Sequence, residues 1–93
     1  MTEELVESVE ELEKILDMDS PCRWRGDNAM QGLLIISKYI DYMKKNVITW
    51  GEHDEIGSVG LEDIVSAGIT KKDAEKLRDL NWCYQYGSLF CFV

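Results

Sequence analysis

Apolar positions near the N-terminus, Leu5, Val9, Leu12 and Leu16, recur at intervals of four, three and four residues, with Val6 and Ile15 widening the stripe. This is the repeat of an amphipathic helix that turns one face to a core. Thr2 is placed to cap that helix and Pro21 to end it. After a loop from Ser20 to Gly26, Asp27 or Asn28 offers the cap of a second helix running to about Lys45. Its Ala29, Met30, Leu33, Leu34, Ile36, Ile40 and Met43 point in more than one direction, which predicts a helix covered on most of its circumference.

The pattern then changes period. Val47-Ile48-Thr49-Trp50 is β-branched and aromatic and predicts a short strand, with Gly51 to Glu55 as a polar loop and a second strand beginning at Ile56. Leu61 to Ser66 predicts a short helix and Ala67-Gly68-Ile69 a turn. Thr70 then caps a helix to Leu80 with Ala74, Leu77 and Leu80 turned inward. Trp82 to Tyr86 and Leu89 to Val93, joined through Gly87-Ser88, carry a hairpin signal. The sum is one α+β domain over residues 1–93: about four helices packed on a small antiparallel sheet that ends in a C-terminal hairpin.

Composition narrows the function classes. With 45% apolar and 30% charged residues the chain has a globular balance, and 93 residues leave room for one core only. Its longest apolar stretch, Gly32 to Ser37, is far short of the roughly 20 residues that span a bilayer. The acidic start Met1-Thr2-Glu3-Glu4 is unlike a secretory signal, and three cysteines, Cys22, Cys83 and Cys91, cannot all pair. A cytoplasmic protein with reduced thiols and no membrane contact is expected.

The net charge of −8 is lopsided, because residues 1–20 hold eight acids against Lys14 alone. Phosphate backbones are bound by clustered Lys and Arg, so nucleic acid is disfavoured as the partner and a protein with a basic surface is preferred. Glu3, Glu7, Glu10 and Glu11 of the first helix are the candidate partner-binding acids. Arg23-Trp24-Arg25 places two cations around an indole just before a helix, an arrangement able to hold an anion or to stack on a base or peptide. The competing reading seats Trp24 in the core and pairs both arginines with the acidic helix.

Three further constellations each have a plainer reading. Residues 61–93 follow winged-helix order, with Lys71, Lys72, Lys76 and Arg78 as nucleic-acid contacts, but Asp73, Glu75 and Asp79 are interleaved with them. Cys22, His53, Cys83 and Cys91 offer zinc-type donors, yet none lies within four residues of another, so buried thiols are the expectation and no metal or other cofactor is. His53 beside Asp54 and Glu55 lacks a nucleophile motif or phosphate loop to complete a catalytic site, so no enzyme activity is expected.

The order Gly26-Asp27-Asn28-Ala29 with Gly32-Leu33, then Glu52-His53-Asp54, Ala67-Gly68-Ile69-Thr70, Leu80-Asn81-Trp82 and Cys91-Phe92-Val93 resembles small uncharacterised proteins encoded by bacteriophages and prophages. The likeness spans residues 26–93 and leaves out the acidic first helix. It implies the cytoplasm of a bacterium or an infected host cell, and a phage-type accessory or host-factor inhibitor acting by occlusion, sometimes by imitating nucleic acid. A non-enzymatic protein-interaction module is the function to be expected.

Overall fold

The computed structural model describes residues 4–18, 26–52 and 54–92, with Glu52 through its backbone alone. Thr2, Glu3, Cys22, His53 and the Arg23-Trp24-Arg25 loop therefore lie outside the described residues. The elements run α1 (Val9–Asp17), α2 (Asn28–Ile36), β1 (Trp50–Glu52), β2 (Glu55–Gly60), α3 (Leu61–Ser66), α4 (Lys71–Asp79), β3 (Trp82–Gln85) and β4 (Ser88–Phe92). The expected class holds: these four helices pack on an antiparallel four-stranded sheet of order β1-β2-β4-β3, and β3 and β4 form the hairpin.

The first helix begins later than the apolar spacing suggested. Ser8, not Thr2, precedes the first turn, and its hydroxyl accepts from the Glu11 backbone N–H at 3.2 Å, the N-terminal half of a capping box. Residues 4–6 are extended instead and pair with the turn before α4: Val6 N–H donates to Ile69 O at 2.9 Å and Lys71 N–H to Glu4 O at 2.8 Å. Extended chain turns neighbours to opposite sides, so Val6 is buried and Leu5 faces solvent. Leu12 and Leu16 carry the buried stripe of α1.

The second helix is shorter than expected. Asp27 caps it, accepting from Met30 N–H at 3.0 Å, but it ends at Ile36 and not near Lys45. Two side chains compete with the helical ladder there: Ser37 Oγ donates to Leu34 O at 2.7 Å, and Asp41 Oδ1 accepts from Met43 N–H at 2.9 Å. Nor is the helix covered all round, since Met30 and Leu34 are exposed, and Met43, expected on its buried side, lies beyond its end and in solvent.

The first strand is displaced toward the expected loop, to Trp50–Glu52. Residues 47–49 still run beside β2, held in part by side chains: Ser58 Oγ donates to Val47 O at 2.7 Å and Thr49 Oγ1 to Ser58 O at 2.8 Å. The α3 and α4 bounds follow the expected pattern, with Thr70 accepting from Asp73 N–H at 3.1 Å. In the hairpin, Gln85 opposes Ser88, so the turn is Tyr86-Gly87, not Gly87-Ser88. Both turn residues have positive φ, 52° and 74°, as a type I′ turn requires. Glycine adopts that conformation without cost, and Tyr86 does so with its ring in solvent.

Strand register sorts the sheet into two faces. Trp82, opposite Cys91, and Ile56, opposite the same residue, turn toward the helices, and Leu89 joins them two residues along β4. Trp82, Leu89 and Cys91 are closed off together with Leu12, Ile36, Ile64 and Leu77. Trp50, Phe90 and Phe92 lie on the other face, Trp50 stacked on Phe90 at 6.4 Å and Phe92 edge-on to Phe90 at 5.3 Å.

Candidate functional site

The rotation of α2 leaves an apolar groove at the surface. Trp82 packs directly against Gly32, so close that a Cβ there would sit 1.9 Å from the indole Nε1. That nitrogen donates to Asn28 O at 3.1 Å, and the Asn28 side-chain amide donates to Leu80 O at 2.9 Å and Phe92 O at 3.3 Å. These contacts direct Asn28, Gly32, Ile35 and Ile36 inward. Asn28 to Ile36 contains no charged residue, and its solvent side carries Met30 and Leu34 beside the polar Gln31. Met30 and Leu34, one turn apart, are left 53% and 56% exposed.

The chain after α2 folds back beside that exposed side and makes it concave. Met30, Leu33 and Leu34 form one wall, Tyr42, Val47 and Ile48 the other, and Ser37 lies at the helix end, around a groove of about 430 Å³. The volume is within the range of ligand and peptide clefts. Nine large apolar side chains are exposed among the described residues, and five of them, Met30, Leu34, Tyr42, Met43 and Ile48, fall between residues 30 and 48. Scattered apolar residues are ordinary on a surface, whereas a contiguous patch of this kind marks contact sites.

The acidic face of α1 is partly spent within the fold. Lys71 Nζ lies 3.0 Å from Glu4 Oε2 and 3.4 Å from Glu11 Oε1, an oxygen shut off from solvent, and these carboxylates, Glu4 first through its hydrogen bond, raise the ammonium pKa. The Tyr84 hydroxyl donates to Asp17 Oδ2 at 2.8 Å, which raises the phenol pKa. Glu7 and Glu10 remain exposed. Of the expected acids, then, Glu11 serves the junction of α1 with α4, while Glu7 and Glu10 are available to a partner.

The proposed nucleic-acid cations divide in the same way. Lys71 is engaged as described, and Arg78 holds Asp79 at 3.1 Å and reaches the Met18 sulfur at 3.7 Å, whereas Lys72 and Lys76 are exposed. The turn Tyr86-Gly87 at the hairpin tip carries no cation.

A polar cluster missed by sequence reasoning joins the turn after α2 to α4. Tyr39 OH donates to Asp73 Oδ2 and sits 3.4 Å from Thr70 Oγ1, and Lys38 Nζ approaches the same carboxylate at 3.6 Å. Burial, and then the Asp73 carboxylate, push the Tyr39 phenol above its usual range. Asp73 is buried, so this network ties the turn after α2 to the start of α4 and satisfies a carboxylate that would otherwise be costly.

Cys91 is buried on the helix-facing side of the sheet and Cys83, half-buried, on the other, so the two thiols are not both core residues as expected. Among the described residues no three His, Cys, Asp or Glu side chains are grouped to hold a metal ion, and no helix is long and apolar enough to cross a membrane.

Compared with family models, with curated proteins and with solved structures, the chain matches none. The groove was hidden in the sequence because a helix with apolar residues on more than one side reads the same whether it is enclosed or half open. The signal that was present is the density of methionines and aromatics from Met30 to Trp50, a composition suited to adaptable contact surfaces.

Proposed function

We propose that this protein is a non-enzymatic protein-interaction module, with the apolar groove beside α2 as its main contact surface. The observation that carries this is the solvent exposure of Met30, Leu34, Tyr42 and Ile48 around one concavity. A partner that covered them would remove apolar area worth roughly 25 cal/mol per Å² from water. Glu7 and Glu10 form a second surface, suited to a basic region of a partner. The resemblance of residues 26–93 to phage and prophage proteins supports a role as accessory or inhibitor of a host factor.

The test is cross-linking in bacterial lysate with quantitative mass spectrometry, using wild type, Leu34→Glu and Met30→Glu as baits. Proteins captured by wild type and lost with both variants are the expected result. Identical profiles for all three baits would remove the groove from the function.

A further inference from the structure

The strap formed by residues 4–6 pairs antiparallel with the turn between α3 and α4 but belongs to no sheet, Leu5 lying opposite Thr70 in an isolated bridge. Three contacts seat it. Ile69 O accepts from Val6 N–H at 2.9 Å and Lys71 N–H donates to Glu4 O at 2.8 Å. Val6 is buried in the core, and Lys71 Nζ meets the Glu4 carboxylate at 3.0 Å. In extended chain Glu4 and Val6 fall on the same side. The turn thus presents backbone partners for a strand, a cation for a carboxylate, and a core position for the β-branched residue two places further on.

The strap fills this seat weakly. Leu5 and Glu7 face solvent, and an open hollow of about 490 Å³ borders residues 4–7 and Lys71. Holding three residues extended costs backbone entropy comparable to what one buried valine and two hydrogen bonds return. Such an element opens while the core stays folded. The rest of the seat survives the opening: Lys71 keeps Glu11 Oε1 at 3.4 Å, and α1 keeps its own cap at Ser8. We propose that the α3–α4 turn is a binding seat for an extended peptide segment with a carboxylate two residues before a β-branched apolar residue, and that residues 4–6 occupy it as an internal, displaceable ligand. The occupant's chemistry is that of the strap bound there. The seat shares no lining residue with the α2 groove, so either can fail without the other.

The probe is a synthetic peptide of residues 3–8, titrated into the isotope-labelled full chain and followed by NMR at the Ile69, Thr70 and Lys71 amides. In wild type the tethered strap competes through its high effective concentration. Val6→Ser removes the strap's buried anchor, so this variant should bind the peptide at least about tenfold more tightly than wild type and return the Lys71 amide toward its wild-type position. Glu4→Lys, a change at an exposed residue that sets a cation against Lys71, should act in the same direction and carries the test if Val6→Ser does not fold. Peptides with serine at the Val6 position or lysine at the Glu4 position should bind at least about tenfold more weakly than the parent. Hydrogen exchange in wild type should be at least about a hundredfold faster at the Val6 and Lys71 amides than at the most protected amides of β4. The proposal is overturned if no folded variant shows a peptide-dependent shift at the turn, or if the altered peptides bind as well as the parent. It is equally overturned if the Val6 amide exchanges as slowly as β4.

Discussion

Replacing Gly32 by alanine separates helix propensity from tertiary packing. Considered as an isolated helix, Gly32→Ala should stabilise α2 by about 1 kcal/mol. In the fold the new methyl group would meet the Trp82 indole at 1.9, 2.3 and 2.7 Å, and that ring is 1% exposed, so it has no free volume to move into. Overpacking of this kind costs roughly 1–3 kcal/mol. Displacing the ring also breaks the bond from its Nε1 to Asn28 O, which adds about 1 kcal/mol. The net expectation is destabilisation by roughly 2 kcal/mol, or a fall of about 10–15 °C in Tm for a domain of this size. Urea unfolding followed by far-UV circular dichroism measures it. Gly57→Ala is the control: its Cβ would meet Trp50 Nε1 at 1.8 Å, but Trp50 is only partly buried on an edge strand and can swing aside, so the loss should be smaller. A Gly32→Ala protein as stable as wild type would refute the contact that sets the rotation of α2, and with it the groove.

Tyr39→Phe should destabilise by about 1–2 kcal/mol, because it strips a hydrogen-bond donor from the buried Asp73 carboxylate; chemical denaturation checks it. The Tyr39 phenol is raised above its ordinary 10.0, so the protonated form is favoured by folding. Its contribution is complete below pH 10 and lost as pH rises through the raised value, and the Phe variant should lose that part of the alkaline decline. Burial pushes the Cys91 thiol up from 9.0 to about 11, so iodoacetamide at pH 8 should leave it unmodified in the folded protein and alkylate it in urea, as peptide mapping will show. Duplex DNA at low salt should give no gel shift, since Lys71 and Arg78 are held by Glu4, Glu11 and Asp79; a salt-dependent shift lost in Lys72→Ala/Lys76→Ala would reinstate the nucleic-acid reading.

Where structure is decided by neighbours three or four residues apart, the chain alone was legible. Asp27 and Thr70 cap the helices they were expected to cap, α3 spans Leu61–Ser66, and the aromatic runs after Trp82 pair as a hairpin. Helix ends, β-propensity and glycine in a tight turn are local matters, so the α+β class and the terminal hairpin follow from residue order.

What the chain could not reveal depends on residues far apart in sequence. Leu5 fits the helical spacing of Leu12 and Leu16, yet hydrogen bonds from Val6 to Ile69 and from Lys71 to Glu4 pull that segment straight, a choice that exists only once α3 and α4 are in place. Likewise the apolar residues of α2, Ala29, Met30, Leu33, Leu34, Ile35 and Ile36, spread over more than one side, and their pattern selects no direction. Only Trp82, arriving from the sheet to lie on Gly32, determines which side is enclosed and which is left to form the groove. Periodicity records how apolar a surface is, whereas the partner that covers it is set by packing.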